Sequence, residues 1–385
     1  MRIAMVWNAP HRLREISVRY DLYLAGFRKL GHEAFAVSTK EAAVGFGETI
    51  VTVDSPAVFK RGDFWKSLNV DVVVIITWHR MVAELAAMRE AGIFIVSLGD
   101  SDGQDSVHVY PFVNLHRMLL MQPSFNLKLR AIKYWAEVYL RTARKYDEEA
   151  IQSTRFSDKV VLCHLTSKQA FGIFLNSYRE GGLVDKIALV PYPVDDVFLT
   201  ARISKKDNQV VAIGRWDDPR KGGTLLDSSL KCFLRKWSAT RFLIVGPGSQ
   251  KRFSSLRATK QVEVLGYRTS PEIFEILSKS RSLIVPSWWE GAPIVASEAL
   301  CVGCSLIGPP TPFIKSFCYE PRFGSMARSR NARALAHAIH QEMEAWSAGD
   351  RRSSDIASIW RPQFDGMKIC SELLRGFKTS IRKLG

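Results

Sequence analysis

Two glutamates stand eight positions apart in Pro286-Ser287-Trp288-Trp289-Glu290-Gly291-Ala292-Pro293-Ile294-Val295-Ala296-Ser297-Glu298-Ala299-Leu300. Upstream, Ser282-Leu283-Ile284-Val285 reads as a short buried strand. Downstream, Pro293 at a first helical position precedes the helical spacing of Ile294, Val295, Ala299 and Leu300. The loop between them therefore opens at the carboxyl end of a strand and the amino end of a helix. There the unpaired helical N–H groups and the macrodipole favour anions, and open α/β sheets bind ligands. Glu290 is expected in the loop and Glu298 on the second helical turn, where carboxylates can accept hydrogen bonds from vicinal hydroxyls. Taken alone, the two read equally well as a helix-start charge and an ordinary exposed side chain.

A second segment changes that balance. In Val211-Ala212-Ile213-Gly214-Arg215-Trp216-Asp217-Asp218-Pro219-Arg220-Lys221-Gly222-Gly223 a strand ends at Gly214, Arg215 leaves its tip and Lys221 begins the next helix. Two cations at a strand's carboxyl end can hold a diphosphate, arginine by its planar fork and lysine as a point charge. Exposed basic residues are common; these gain weight because Glu290 is expected at the end of another strand of the same sheet.

The elements that must position these residues follow from the pattern of the whole chain. Apolar runs alternate with amphipathic stretches, as in parallel strands joined by helices. Strands are predicted over 2–7, 34–37, 49–53, 71–77, 93–98, 159–163 and 186–190, then over 209–214, 241–245, 262–265, 282–285 and 305–307. Each half is thus a doubly wound α/β sheet. Val190-Pro191-Tyr192-Pro193-Val194-Asp195-Asp196 and the polar stretch 202–208 separate them, since each proline biases its neighbour toward extended backbone. The expected organisation is an N-terminal domain over 1–195, a second domain over 196–362 and a C-terminal helix over 363–385. Ser270-Pro271-Glu272 supplies a capped helix start, and Thr166 with Gln169 a capping box.

At 385 residues, with 46% hydrophobic and 24% charged residues, the chain has the size for two cores and nothing of a disordered or fibrous composition. The apolar start Met1–Trp7 is too short for a signal peptide, and no run reaches bilayer length, so a cytoplasmic protein is expected. Among the six cysteines, Cys301 and Cys304 form a CxxC without the further ligands of a zinc set, which favours core packing. A formal charge of +16 attracts phosphate-bearing partners: nucleic acid, an anionic membrane surface or a phosphorylated small molecule. No compact nucleic-acid reader appears, which argues against the first. Within 104–150, the stretch Lys128 to Tyr146 carries Lys128, Arg130, Lys133, Arg141, Arg144 and Lys145 against Glu137, interleaved with Ile132, Tyr134, Trp135, Val138, Tyr139 and Leu140. As a helix this suits an anionic interface, or else it is a domain helix with a solvated basic face.

The second half resembles the nucleotide-binding domain of retaining GT-B glycosyltransferases, particularly glycosyltransferase family 4. Gly214-Arg215 with Lys221-Gly222, Leu243-Ile244-Val245-Gly246-Pro247-Gly248, Val264-Leu265-Gly266-Tyr267, and Pro286-Ser287 followed by Glu290 and Glu298 carry the resemblance in order. Val190 to Asp195 is similar to the family's interdomain segment, and Trp360 precedes a stretch similar to its C-terminal crossing helix. The resemblance implies a GT-B fold with a nucleotide diphosphate sugar, UDP- or GDP-linked, in the cleft between two Rossmann-like domains. It makes 1–195 the acceptor domain and 196–362 the donor domain, and places Gly214 among the donor-binding residues, Arg215 and Lys221 at the diphosphate and Glu298 at the ribose. Glu290 would face the donor sugar, with the backbone of Gly291, Ala292 and Ile294 near its hydroxyls or phosphate. Tyr267 and Arg268 would lie near the base, or form a surface turn. No cofactor or metal is implied, because two cations and a helix dipole can stabilise the leaving diphosphate.

The first half departs from the family pattern. Asn8-Ala9-Pro10-His11-Arg12 lacks the paired glycines often found after the first strand. Ser97-Leu98-Gly99-Asp100-Ser101-Asp102-Gly103 stands where a histidine is usual. Either Asp100 or Asp102 takes over part of that role, or His79 does, or the catalytic set is incomplete. The expected function is hexose transfer to an acceptor hydroxyl of a glycan, a lipid-linked or a small-molecule substrate, in cell-surface polysaccharide or glycolipid assembly. The protein would then sit peripherally on the inner face of a membrane. The alternative is a GT-B nucleotide-sugar-binding protein without transfer.

Overall fold

The computed structural model describes residues 1–7, 13–40, 50–76, 81–99, 102–122, 124–237 and 239–377. They divide into two compact units, the first comprising Met1–Leu119, Ser124–Pro193 and Asp365–Gly385, the second built mainly from Val194–Phe364.

The first unit is organised around seven parallel strands, β1 (Arg2–Trp7), β2 (Glu33–Thr39), β3 (Ile50–Val53), β4 (Val72–Ile76), β5 (Phe94–Leu98), β6 (Lys159–Leu162) and β7 (Ile187–Leu189), in the order β3-β2-β1-β4-β5-β6-β7. All five residues of β4 and of β5 are buried. Helices on both faces of a parallel sheet require such continuous apolar runs, which is why these segments read as strands without alternation.

The second unit repeats the architecture with β8 (Gln209–Ile213), β9 (Arg241–Val245), β10 (Val262–Gly266), β11 (Ser282–Ile284), β12 (Ser305–Gly308) and β13 (Gly324–Met326), ordered β10-β9-β8-β11-β12-β13. Side chains leave a strand alternately on its two faces. Val211, Leu243, Leu283 and Leu306 enter one core with the helix Ile294–Cys301. Val210, Ala212, Ile244, Ile284 and Ile307 enter the other, with Leu226 and Leu335 from the helices behind them. Both sheets are therefore doubly wound. Cys301 and Cys304 are fully buried thiols in the first of these cores.

Local differences from the sequence reading have identifiable causes. β13 went unread because Gly324-Ser325-Met326 carries no apolar run; it is recruited as an edge strand by pairing with β12. The helix Leu165–Ser177 is capped by His164, whose ring accepts from the Ser167 N–H, so Thr166 and Gln169 form no capping box there. One helix later in the chain begins one residue earlier than read: Thr269 is its cap, and the Glu272 carboxylate accepts from the Thr269 N–H at 2.7 Å. Pro293 sits at the cap of its helix rather than inside it. The region 104–150 forms the helices Pro111–Leu120, Phe125–Arg141 and most of Ala143–Phe156. Among the described residues no helix is long and apolar enough to cross a membrane.

At the C-terminus, the helix Gly366–Leu374 packs against the helix Leu13–Lys29 of the first unit. The contact is close because Gly26 has no side chain: a Cβ there would stand 2.6 Å from Cys370 Sγ and 2.7 Å from the Gly366 carbonyl oxygen. Lys159 Nζ holds the far end of the same helix, donating to the carbonyls of Glu372, Leu373 and Arg375 at 2.6, 3.1 and 2.7 Å. These carbonyls lie at the helix end, where N–H partners four residues on run out. Gly26→Val is therefore expected to destabilise the protein by about 1–3 kcal/mol through overpacking. Gly172→Ala, whose Cβ would meet only Val184 at 3.8 Å, should be neutral or stabilising. Urea denaturation of the two variants tests the contrast.

Candidate functional site

Chain order reverses between β8 and β11: β9 and β10 extend to one side, β12 and β13 to the other. At such a switch point the loops after the two central strands diverge and leave a crevice outside the carboxyl ends. The segments singled out from the sequence are those two loops.

After β8, Gly214 still pairs with β9, its N–H donating to Val245 O at 3.1 Å. Trp216 is buried and its Nε1 donates to the same carbonyl at 2.8 Å, which anchors the loop as it leaves the sheet. Asp218 then caps the short turn Pro219–Lys221, accepting from the Arg220 N–H at 3.0 Å. Its carboxylate gathers the guanidinium of Arg220 at 2.6 Å and that of Arg215 at 3.6 Å. Burial works to raise the Asp218 pKa, but the hydrogen bonds from Arg220 outweigh it and hold the carboxyl below its ordinary range. The turn ends on Gly222, at φ 68°, where a Cβ would lie 2.2 Å from the Pro286 carbonyl oxygen. Only glycine combines a left-handed backbone with that approach.

The loop after β11 is tied to this turn twice more. The Trp288 N–H donates to Arg220 O at 2.7 Å. Lys221 Nζ donates to Glu290 Oε1 at 2.7 Å, in an ion pair that is mostly buried. Lys221 and Glu290, 69 positions apart in sequence, thus meet at the switch point, with Arg215 leaving the neighbouring strand. Gly291 and Ala292 continue the loop, and Ile294 opens the helix that carries Glu298.

Burial, reinforced by the nearby Asp195 carboxylate, pushes the Glu298 carboxyl up to about 7. Asp195 reaches this position as the cap of the helix Asp196–Leu199, accepting from the Val197 N–H at 3.0 Å, and that helix packs on Ile294–Cys301. An enclosed carboxyl beside a like charge is held ready for hydroxyl donors that would stabilise its charged form.

Arg330 had no place in the sequence reading. It follows β13, the strand that the sequence did not reveal, and only its position just before the Asn331 helix cap could have marked it. Its Nη2 donates to the carbonyls of Ser287 and Trp288 at 2.6 and 3.1 Å, and its guanidinium lies 4.2 Å from the centre of the Trp288 ring. Burial lowers its pKa to about 10. Fork and plane together clamp the loop that carries Glu290.

Tyr267 and Arg268 follow β10 at the edge of the sheet; Tyr267 is exposed, and Arg268 donates to its carbonyl at 2.9 Å and pairs with Glu272 at 3.5 Å. Asp100 and His79 lie outside the described residues. Asp102 is buried in an ion pair with Arg117 and accepts from the Gln104 N–H at 3.2 Å; burial raises its pKa. Among the described residues no group of three or more histidine, cysteine, aspartate or glutamate side chains is placed to hold a metal ion.

Residues 207–344 match the family model of glycosyl transferases group 1. An uncharacterised glycosyltransferase of Methanocaldococcus jannaschii is 28% identical over 170 residues, which span 42% of this chain and 40% of that protein. The alignment thus spans less than half of either protein. HepE of Anabaena, solved in complex with UDP, superposes with a TM-score of 0.69 at 15% identity over 98% of this chain and 100% of its own. The lipopolysaccharide outer core galactosyltransferase WaaB superposes with a TM-score of 0.63 at 14% identity over 99% and 100% of the two chains. At these identities the superpositions establish the fold, which is GT-B.

Two outcomes follow from the clamp and the enclosed carboxyl. Arg330→Ala should loosen the loop and weaken nucleotide binding about tenfold by calorimetry, and Arg330→Lys should not restore it, since lysine has neither fork nor plane. Glu298 titrates higher in the folded than in the unfolded chain, so its contribution to stability is greatest at low pH and is lost as pH rises toward 7. Glu298→Gln should accordingly raise the unliganded melting temperature at pH 8, an effect on the order of 2 kcal/mol. The gain should shrink at pH 5.

Proposed function

We propose that this chain, residues 207–344 of which match the family model of glycosyl transferases group 1, is a retaining glycosyltransferase moving a hexose from a UDP- or GDP-linked sugar to an acceptor hydroxyl. The observation that carries the reading is the mostly buried Lys221–Glu290 pair at the switch point, with Arg215 in the loop that leaves β8. A cation and a carboxylate held together there match two adjoining parts of a nucleotide sugar: the diphosphate for Lys221 and Arg215, the hydroxyls of the transferred sugar for Glu290.

In this reading the diphosphate takes Lys221 and Arg215 as charge builds on the leaving oxygen, helped by the N–H groups at the start of Ile294–Cys301. Glu290, released from Lys221, accepts from the donor sugar with the backbone of Gly291, Ala292 and Ile294 beside it. Glu298 receives the ribose hydroxyls, and Tyr267 and Arg268 flank the base. The acceptor hydroxyl attacks from the face the diphosphate leaves, and a diphosphate oxygen takes its proton. The protein's contribution is orientation and charge stabilisation. UDP is the leading nucleotide, since HepE was solved with UDP and with UDP-glucose. Cell-surface polysaccharide or glycolipid assembly is the natural setting, with a glycan, a lipid-linked or a small-molecule acceptor.

A second reading, nucleotide-sugar binding without transfer, draws on the chain's departures at 8–12 and 97–103 from the family pattern. A thermal-shift screen against UDP, GDP, ADP and their sugars identifies the donor, because a ligand of the folded state raises the melting temperature by mass action. Transfer with that donor should survive EDTA. Lys221→Ala should lower kcat/KM by about 100-fold or more. Glu290→Ala should lower kcat while leaving the nucleotide's thermal shift nearly intact. Wild-type turnover in Glu290→Ala would overturn its assigned role, and a thermal shift with no transfer to any acceptor would favour the second reading.

A further inference from the structure

The 17-residue helix Phe125–Arg141 buries one narrow face and leaves a second apolar face in solvent. At 100° per residue, the buried Ala131 and the half-buried Trp135 and Val138 lie on one side. Phe125, Leu129, Ile132 and Leu140 line up on the other, with 72%, 50%, 41% and 79% of their surfaces exposed. A helix that only packs on its own domain shows one apolar stripe and a polar remainder; this one shows two.

The flanks of the exposed stripe are basic. Lys128 borders it on one side and Lys133 on the other, with Arg130 and Arg141 beyond. Glu137 is the helix's one carboxylate, and it pairs with Arg141 at 3.1 Å. A second copy of the chain could cover the apolar residues only by bringing two such basic borders together, in a protein already at +16. Anionic lipid satisfies both parts of the surface at once. Acyl chains take the stripe and headgroups take the lysines and arginines, in the manner of helices that lie in the plane of a membrane interface.

We propose that the outward face of Phe125–Arg141 seats the protein on an anionic lipid bilayer, with Phe125, Leu129, Ile132 and Leu140 entering the headgroup–acyl boundary. About 25 Å of helix would lie along the surface. The inference stands on this helix and is independent of the donor-site reading, though a lipid-embedded acceptor would make sense of both.

The test uses the full-length protein with vesicles of phosphatidylcholine alone or with one-third phosphatidylglycerol. Sedimentation should show at least about tenfold tighter partition to the anionic vesicles. Leu129→Glu with Leu140→Glu should abolish partition to either vesicle. Lys128→Glu with Lys133→Glu should remove the preference for anionic lipid. All of these positions are exposed, and an unchanged melting temperature and unchanged nucleotide thermal shift would show that fold and donor site are intact. Equal, negligible partition of the wild-type protein to both vesicles would overturn the proposal. So would a dimer, detected by light scattering, that Leu140→Glu dissociates while vesicle binding is absent.

Discussion

The approach of the turn after β8 to the loop after β11 is the constraint on which the candidate site depends. Gly222 lies against the Pro286 carbonyl, closer than any side chain would permit, and its left-handed backbone turns the chain into the next helix. That contact brings Lys221 within 2.7 Å of Glu290 and aligns the Trp288 N–H with the Arg220 carbonyl. Two segments far apart in sequence become one surface because their strands are neighbours in the sheet and their loops touch at a glycine.

Charge in this region is arranged in opposed pairs. Asp218 holds Arg215 and Arg220, and Glu290 holds Lys221; Arg330 has no such carboxylate, its Nη2 held by carbonyl oxygens and its plane by a tryptophan face while its Nη1 is buried without a hydrogen-bond partner among the described residues. The unliganded protein therefore avoids an uncompensated cluster of cations at the point where an anion is expected. An arriving diphosphate would exchange one set of partners for another, which costs less than bringing cations together only when the ligand binds. Arg330 differs in kind from the others, because it acts on backbone and so governs where Glu290 can be. Glu298 stands apart again: its carboxyl is enclosed beside Asp195, and burial rather than a cation governs its titration.

The helix Phe125–Arg141 obeys a different logic from the rest of the first unit. The strands are apolar on both faces because both are covered. The helix is apolar on two faces although one is left exposed by the described residues. Its basic borders make sense of that exposure, since a surface rich in cations and apolar groups is stable in water yet gains on meeting anionic lipid.

The sequence carried the doubly wound halves, because continuous apolar runs such as Val72–Ile76 and Phe94–Leu98 report burial on both faces directly. It also carried the ordered motifs around Arg215, Lys221, Glu290 and Glu298, since glycine and proline mark the loops in which they lie. Three things were not legible. β13 has no apolar signature of its own and exists by pairing with β12, and Arg330 could not be placed without it. The pairing of Lys221 with Glu290 required the order of strands, which no local pattern encodes. The outward direction of Phe125, Leu129, Ile132 and Leu140 required knowing which side of their helix the core occupies. Residue type and short-range spacing express what a segment prefers for itself; adjacency in a parallel sheet and the covering of a helix face are set by the rest of the chain, and only the folded structure decides them.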